Sequence, residues 1–306
     1  GNNENVEDSK LNIDVEPKII EENNSDIFTE KVETPTTKKT VKTKKEIPLK
    51  EEILTETEYW ERGNKYYDEE KYLLAIKDFT QAINLSDYIY YDYYYQRGLS
   101  YFFADQEQNA INDFNQAIKL NQTADAYYYR ADANSNLGNY NKAIEGFTEC
   151  IKKDAYYDWA YYSRGKTKYL KGEYRSAIND LNIFIKVIPD FSWAYYYRGL
   201  SYSFLGDKND RTQAGYYRDA LDDYNSSLIH NPNSNNDLFL YRGEAYYVLE
   251  KYNKALVDFN YYINNVDGGN QDDYAFSHAY LTRLLLIEGH LFFEIKLVNE
   301  FFQTHL

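Results

Sequence analysis

The sequence predicts an all-α protein built from stacked helix pairs, and two observations lead to this prediction. A small residue preceded by Arg recurs six times between Gly63 and Gly243, at spacings of 35, 33, 34, 34 and 44 residues. Within each unit, apolar residues recur every three or four positions in two consecutive blocks, which is typical of two amphipathic helices. Because one helix pair cannot bury its apolar face alone, the six copies are expected to stack on one another.

The units share small and large residues at fixed positions. The small residue that follows Arg, here called the anchor, is Gly63, Gly98, Ala131, Gly165, Gly199 or Gly243. A second small residue and, four positions later, a large one follow in each unit: Ala75 and Phe79, Ala110 and Phe114, Ala143 and Phe147, Ala177 and Leu181, Ala220 and Tyr224, Ala255 and Phe259. Small residues on facing helices let two helices pack closely. The fifth unit carries nine extra residues, because Ala220 follows its anchor by 21 positions rather than 12.

A helix-pair repeat of about 34 residues with this pattern resembles the tetratricopeptide repeat. The copies here are similar to a tyrosine-rich variant of bacterial type, with Arg in place of the usual Leu before the anchor. The resemblance implies a right-handed α-α superhelix (a solenoid) of about six repeats over residues 55–272. Phe184 and Tyr262 depart from the family pattern, since they stand where a small residue is usual.

The segments outside the regular repeats differ in composition. Residues 1–54 are polar, with lysines concentrated in 35–50, and are expected to form a disordered charged tail or tether. Residues 273–306 are strongly apolar and are expected to form a pair of helices that caps the last repeat. An interface between copies of the chain is the alternative for this segment. Residues 206–217, which contain the insertion, are expected to form a loop that is either a contact site or a tolerated insertion.

Composition narrows the classes of function. The net charge of −15 disfavours nucleic acid as a partner, because phosphate binding needs a basic surface. The single Cys150 excludes an internal disulfide framework, and the four histidines show no metal-ligand spacing. No phosphate-binding loop or nucleophile motif stands out, and no stretch approaches the ~20 apolar residues of a membrane span. We therefore expect no enzymatic activity, no cofactor and no metal site.

The N-terminal segment also suggests a location. The chain begins at Gly1 without a methionine, and a polar tail precedes the predicted folded part. This arrangement resembles an exported bacterial lipoprotein that is tethered by its N-terminus, with a lipidated cysteine ahead of residue 1. A cytoplasmic protein is the alternative.

Five units combine the arginine before the anchor with an aspartate three positions after the second small residue. The pairs are Arg62 and Asp78, Arg97 and Asp113, Arg164 and Asp180, Arg198 and Asp223, and Arg242 and Asp258. In the third unit Arg130 has Gly146 in that place, with Glu145 beside it. If the helices of a pair run antiparallel, Arg and Asp face each other. We therefore expect structural ion pairs whose arginine stems lie on tyrosines.

A second set of residues is expected to line a concave ligand groove. Residues six and three positions before the anchor, and one after it, share one face of the first helix, which lines the concave surface in the family that this chain resembles. The aromatic members are Trp60, Tyr95, Tyr128, Trp159, Tyr162, Trp193 and Tyr196, and the charged members are Asp92, Asp125, Asp132 and Lys166. We expect the rings of Trp159 and Trp193 to be exposed on this surface. Aromatic side chains in a concave surface are typical binding hot spots.

These features predict a non-catalytic protein-interaction scaffold that binds a partner protein or peptide in an acidic, aromatic groove. Such a groove favours an extended peptide with basic, proline or aromatic residues. Two alternatives remain open. One is a carbohydrate-binding module that stacks sugars on the aromatic rings, and the other is a structural subunit that forms homo-oligomers through its apolar C-terminal helices.

Overall fold

The computed structural model describes residues 54–206, 213–232 and 236–265, together with residues 283 and 287. The three ranges form twelve α-helices and, within these limits, contain no β-strand, as predicted. Nearly all of the predicted tail, up to residue 53, lies outside the described residues. So does the predicted C-terminal cap, except for Arg283 and Ile287, which are both helical.

The helices alternate between the first and second members of six pairs. The first helices are α1 (Glu56–Asp68), α3 (Tyr91–Phe103), α5 (Ala124–Asn136), α7 (Asp158–Leu170), α9 (Ser192–Gly206) and α11 (Asp237–Val248). The second helices are α2 (Tyr72–Leu85), α4 (Glu107–Leu120), α6 (Tyr140–Lys153), α8 (Tyr174–Val187), α10 (Gln213–His230) and α12 (Tyr252–Asn265). None of these helices combines the length and the apolar character that crossing a lipid bilayer requires.

Threonine caps fix where two of the first helices begin. The Thr55 hydroxyl accepts a hydrogen bond from the Glu58 backbone N–H (3.3 Å), and the Glu58 carboxylate accepts one from the Thr55 backbone N–H (2.8 Å). This reciprocal capping box satisfies backbone donors that have no partner within the helix. Thr123 caps α5 in the same way, through the Ala126 N–H at 3.2 Å.

A residue in the left-handed conformation separates the two helices in five of the six pairs. Seven positions after the anchor, φ lies between 55° and 85° at Glu70, Asp105, Gly138, Gly172 and Glu250. Each of these residues reverses the chain within a few positions, which makes the helices of the pair antiparallel. The fifth pair differs, because α9 continues through Gly206 at the equivalent position.

The predicted loop over residues 206–217 is partly helical. Helix α10 has 18 residues, whereas the other second helices have 14. Its additional turn begins at Gln213, so part of the insertion extends the helix rather than forming a loop. Residues 207–212 of this segment lie outside the described residues.

The helices form two layers. Each second helix packs on the first helix of its own pair and on the first helix of the next pair. Consecutive first helices also contact each other, whereas no two second helices in the described ranges do so to a comparable extent. The first helices therefore form an inner layer and the second helices an outer layer, which is the arrangement of an all-α superhelix of tetratricopeptide-like pairs. We call the exposed faces of these layers the inner surface and the outer surface.

Packing within each pair depends on a small residue where the two helices meet. A Cβ atom at Gly98 would lie 2.9 Å from Cε1 of Phe114, which is completely buried, and 3.3 Å from Cβ of Asp113. In the third pair the anchor is Ala131, and a Cβ atom at Gly146 on the facing helix would lie 2.8 Å from the Ala131 Cβ. The glycine has therefore moved to the second helix of that pair.

We expect Gly98→Ala to lower the free energy of unfolding by about 1–2 kcal/mol. The new methyl group overpacks against Phe114, which exceeds the gain of up to about 1 kcal/mol from the higher helix propensity of alanine. Gly215→Ala in α10 is the matched control, because no atom lies within 4 Å of its added Cβ. Urea unfolding measures both variants, and equal stability of the two would contradict the close-packing role of the anchor.

Candidate functional site: the arginine ladder and the inner surface

The structure brings together all five predicted Arg–Asp pairs. In each pair, the guanidinium Nε and Nη2 donate to the two carboxylate oxygens at N–O distances of 2.5–2.8 Å. The aspartate side chains are at most 7% exposed, and the arginines are 14–18% exposed except Arg62 at 42%. These are bidentate, largely buried ion pairs between the two helices of one repeat. We call the row of six arginines the arginine ladder.

The guanidinium groups of the arginine ladder lie near aromatic rings, whereas the sequence analysis expected the arginine stems to lie on tyrosines. Each guanidinium of the arginine ladder lies 5.2–5.7 Å from the centroid of the ring three positions before it: Tyr59, Tyr94, Tyr127, Tyr161, Tyr195 or Phe239. In the first, second and sixth repeats a second ring, Tyr66, Tyr101 or Tyr246, has its centroid 5.9 Å from the guanidinium carbon. Each positive charge therefore lies near at least one polarisable aromatic ring.

The arginine ladder also joins neighbouring repeats, which the sequence analysis missed. From the second repeat onward, Nη1 of each arginine donates to a side-chain oxygen on the second helix of the preceding repeat, at 2.6–3.2 Å. The acceptors are Thr80, Asn115, Thr148, Asn182 and Asn225, each two positions after the ladder aspartate or its equivalent. The regular recurrence of Thr or Asn at this offset is the signal that could have revealed the link.

The fourth repeat departs from the others in having a second cation. Lys168 occupies the position that holds tyrosine in four other repeats, and its Nζ lies 2.7 Å from the Asp180 carboxylate that Arg164 also binds. Both cations are at least five-sixths buried. Asp180 therefore keeps one cationic partner if the other is removed.

Burial and pairing act in opposite directions on the ladder carboxylates. Burial raises the pKa of Asp113 and of Asp223, whereas the hydrogen bonds from Arg97 and Arg198 lower the pKa of their partners. The ionised form of these aspartates therefore depends on the paired arginine, because solvent is largely excluded.

On the inner surface, the structure corrects part of the predicted aromatic groove. Tyr128, Tyr162 and Tyr196 are 3%, 9% and 6% exposed, so their rings belong to the core and do not line an open surface. These rings pack toward the second helix of their own repeat, as in the contact between Tyr128 and Phe147 at 5.6 Å. The prediction was wrong because these rings pack both on their own repeat and on the next one, as in the contact between Tyr128 and Tyr157 at 5.0 Å.

The three predicted tryptophans are half-buried rather than exposed. Trp159 packs edge-on against Phe191 at 5.2 Å and contacts Phe184 at 5.3 Å, and Trp193 contacts Tyr196 at 5.5 Å. Trp60 stacks on Tyr93 at 4.6 Å, and Tyr95, also half-buried, lies 6.1 Å from Phe114. Two of these contacts, Trp60 with Tyr93 and Trp159 with Phe191, reach the next repeat, and the others lie within one repeat. Only part of each ring is therefore accessible to a ligand.

Two tyrosines that the sequence analysis did not select lie between consecutive inner helices. Tyr129 of α5 contacts Phe102 of α3 at 5.7 Å, and Tyr197 of α9 contacts Tyr169 of α7 at 5.6 Å. Both rings are half-buried, and the Lys166 ammonium lies 5.6 Å from the centroid of Tyr197. Their position two residues before the anchor, outside the predicted stripe, explains why they were missed.

The charged residues of the predicted groove are accessible to different degrees. Asp92 and Asp125 are exposed, whereas Asp132 and Lys166 are half-buried. Burial raises the pKa of Asp132 to about 6, and the positive charge of Lys166 opposes this shift. Burial raises the pKa of Tyr91 and Tyr129, and the charge of Asp125 adds to this shift, so its carboxylate lies within electrostatic reach of their hydroxyls.

No metal site is evident in the part of the chain that the structure describes, where no group of three His, Cys, Asp or Glu residues is suitably arranged. Cys150 is buried, and burial raises the pKa of its thiol to about 12. The thiolate that metal binding or nucleophilic attack needs is therefore strongly disfavoured at neutral pH.

We expect Arg97→Ala to be more destabilising than Arg164→Ala. Removing Arg97 leaves the buried Asp113 without its cationic partner, which costs about 3–5 kcal/mol. After the loss of Arg164, the Lys168 ammonium still binds Asp180. Thermal unfolding of the two variants, together with Arg164→Ala/Lys168→Ala, tests this order. If the two single variants unfold at the same temperature, Lys168 does not compensate in the way that its position implies.

Comparisons with known proteins agree with this architecture. Tetratricopeptide repeat models match residues 91–123 and 125–155, which contain the second and third helix pairs. Among solved structures, MamA is 24% identical over 57% of this chain and 95% of its own, with a TM-score of 0.50. A chain of the APC/C hetero-tetramer Cut9–Hcn1 is 16% identical over 74% of this chain and 42% of its own, with a TM-score of 0.57. YrrB is 16% identical over 63% of this chain and 90% of its own, with a TM-score of 0.50.

These structural likenesses show the fold, and the comparison with curated proteins found no match. The two repeat models cover the second and third of the six helix pairs in the described part of the chain. Residues 91–123 and 125–155 therefore match the tetratricopeptide repeat family, and the described helix pairs have the fold of its solved structures.

Proposed function

We propose that this protein is a non-catalytic interaction module that binds an extended, basic segment of a partner protein on its inner surface. The observation that carries the proposal is the placement of Asp132 and Asp125 on the inner helix α5 among tyrosine side chains. An acidic, aromatic surface of this kind favours Lys or Arg side chains, through charge attraction and cation–π contact.

Of the two acidic residues on α5, Asp132 is better suited to bind a ligand cation selectively. Its carboxylate is half-buried close to the buried Tyr128 and Tyr162, near the half-buried Tyr129, and it faces Lys166 of the next repeat. A pKa of about 6 means that the protein surroundings only partly replace the solvation that the charged carboxylate loses on burial. A ligand cation that reaches this carboxylate would stabilise its charged form. The attraction would be stronger there than at a fully solvated site.

Asp125 extends the acidic surface toward the preceding repeat. It is exposed near the N-terminus of α5, within electrostatic reach of Tyr91 on α3 and of Tyr157, the residue before α7. The negative potential of α5 thus reaches side chains of three consecutive repeats. An extended peptide runs along such a surface and can place alternate side chains on successive first helices.

Two proteins of the same fold support a role in binding other proteins or peptides. YrrB is described as a tetratricopeptide repeat protein with an unusual peptide-binding site, and Cut9 as part of a hetero-tetramer with Hcn1. Carbohydrate binding receives less support, because the buried rings of Tyr128, Tyr162 and Tyr196 offer no open faces for sugars to stack on. The alternative of assembly through the C-terminal helices concerns residues outside the described ranges.

We expect a peptide array to show preferential binding of Lys- or Arg-containing peptides over acidic peptides of equal length. Asp125→Asn should weaken binding about two- to fivefold, as expected for an exposed charge, and Asp132→Asn about tenfold. Asp190→Asn, in an exposed turn before α9, is the matched control and should leave binding unchanged. Equal effects of all three substitutions would contradict a specific inner-surface site, and selective binding to a glycan array would favour the carbohydrate alternative.

Binding of a basic peptide should strengthen as the pH rises from about 5 to 7. The pKa of Asp132 is about 6 in the folded protein and about 3.9 in an unfolded chain, so the carboxylate gains its charge across this interval. Because burial disfavours the charged form, ionisation of Asp132 lowers the free energy of unfolding as the pH rises from about 4 to 6. Asp132→Asn should therefore raise the free energy of unfolding by about 1–3 kcal/mol at pH 8 and leave it nearly unchanged at pH 4.

Isothermal titration calorimetry of the peptide and urea unfolding, both at several pH values, measure these two effects. A binding constant of the wild-type chain that does not vary between pH 5 and 7, or that varies equally in Asp132→Asn, would exclude Asp132 from the site.

A further inference from the structure

The third member of the arginine ladder differs from the other five. The Arg130 Nη1 donates to Asn115 Oδ1 at 3.0 Å, and the guanidinium lies 5.2 Å from the centroid of Tyr127, as in the other repeats. Its Nε and Nη2, which bind a carboxylate in every other repeat, have no hydrogen-bond partner among the described residues. Neither atom is fully buried, because neither is among the buried polar atoms that lack a partner.

The lack of a paired aspartate follows from the exchange of small residues in this repeat. Where the anchor is glycine, as at Gly98, the facing helix has room for the Cβ of Asp113. The anchor of the third repeat is Ala131, and its methyl group would lie 2.8 Å from any Cβ at position 146. Gly146 is therefore required opposite Ala131, and a glycine supplies no carboxylate to Arg130.

The same repeat lacks the second ring that lies near the guanidinium in the first, second and sixth repeats. Asn134 stands where Tyr66, Tyr101 and Tyr246 pack against their arginines, and its Nδ2 donates to the Arg130 carbonyl oxygen at 2.8 Å. The open side of Arg130 faces the outer surface between α4 and α6, because its hydrogen-bond partner lies on α4 and Gly146 lies on α6.

Two acidic residues of α6 lie near Arg130 but do not form a hydrogen bond with it. Glu145 is exposed, and Glu149 binds Lys152 at 2.6 Å. Burial lowers the pKa of Arg130 and outweighs the opposing effects of Tyr127, Glu145 and Glu149. The guanidinium is therefore desolvated without the compensation that the other ladder arginines receive.

We propose that Arg130, with Asn115 and Tyr127, forms a docking site on the outer surface for the carboxylate of an Asp or Glu side chain of a partner protein. The guanidinium keeps the position and the ring contact that its counterparts use to bind a carboxylate through two hydrogen bonds. A monoanionic carboxylate fits better than a phosphate dianion, because Glu145, Glu149 and the net charge of −15 repel a dianion more strongly. This site is separate from the inner surface and does not depend on the function proposed for it.

The side-chain Nε–Hε signal of Arg130 in 15N-edited NMR spectra of the full chain tests this proposal, after assignment with Arg130→Lys. The probe is N-acetylglutamate α-amide, which carries one carboxylate, at up to about 100 mM, since a single accessible ion pair is weak. We expect the Arg130 signal to shift with saturation, whereas that of Arg97, whose donors are already occupied, stays in place. An unchanged Arg130 signal, or equal shifts of both signals, would overturn the proposal.

The chain itself offers a matched control. Ala131→Gly/Gly146→Asp restores the small-residue arrangement of the other repeats and introduces an internal carboxylate opposite Arg130. We expect this double variant to remain folded and to lose the response to the probe by roughly tenfold, because the internal pair occupies both donors. A retained response would show that the probe binds elsewhere.

Two further measurements test the preference for a carboxylate and the accessibility of Arg130 in the free protein. Inorganic phosphate at the same concentration should shift the Arg130 signal less than the carboxylate probe does, and the reverse order would overturn the carboxylate assignment. In the absence of any probe, the signal should be the same in the wild-type chain and in Glu145→Gln. A difference between them would show that Glu145 occupies the site and that it is not open to a partner.

Discussion

The bidentate contact between an arginine of the first helix and an aspartate of the second is the interaction on which the rest of this structure depends. A pair of this kind, largely removed from water, contributes little net stability relative to apolar residues of the same size, but breaking it is costly. It therefore acts mainly by penalising any register of the two helices that separates the charges. The glycine anchor makes the contact possible, because it lets the carboxylate-bearing helix approach closely, as Gly98 does for Asp113.

The same arginines connect each repeat to the one before it. In Arg97, Arg164, Arg198 and Arg242 the third donor group, Nη1, binds a Thr or Asn of the preceding second helix, so these guanidinium groups join two second helices to the first helix between them. A superhelix is stable only through contacts between neighbouring repeats. The arginine ladder thus adds directional hydrogen bonds to interfaces that are otherwise held by aromatic packing, such as the contact between Tyr129 and Phe102.

The two surfaces of the array have different electrostatic character. On the outer side, the ladder cations are paired with buried carboxylates, with the third repeat as the exception. On the inner side, Asp132 and Asp125 lack a hydrogen-bonded cation among the described residues, and Lys166 lies over a tyrosine ring. The acidic inner surface and the open Arg130 site therefore offer opposite charges to ligands on opposite sides of the array.

The sequence by itself determined the helix pairs, their number and the five ion pairs, because these depend on residues repeated at fixed offsets within one unit. It did not determine which tyrosines are accessible. In a chain with 36 tyrosines, neighbouring offsets carry the same residue type, and the packing between consecutive inner helices decides which rings are covered. Tyr128 was therefore assigned to the open surface and proved to be buried.

Other contacts between helices were likewise decided only by the tertiary structure. The link from Arg97 to Thr80, and the second cation that Lys168 brings to Asp180, depend on how helices approach in space. The absence of an aspartate at position 146 was visible in the sequence. Its physical reason, the exchange of small residues between Ala131 and Gly146, required the distance between the two helices.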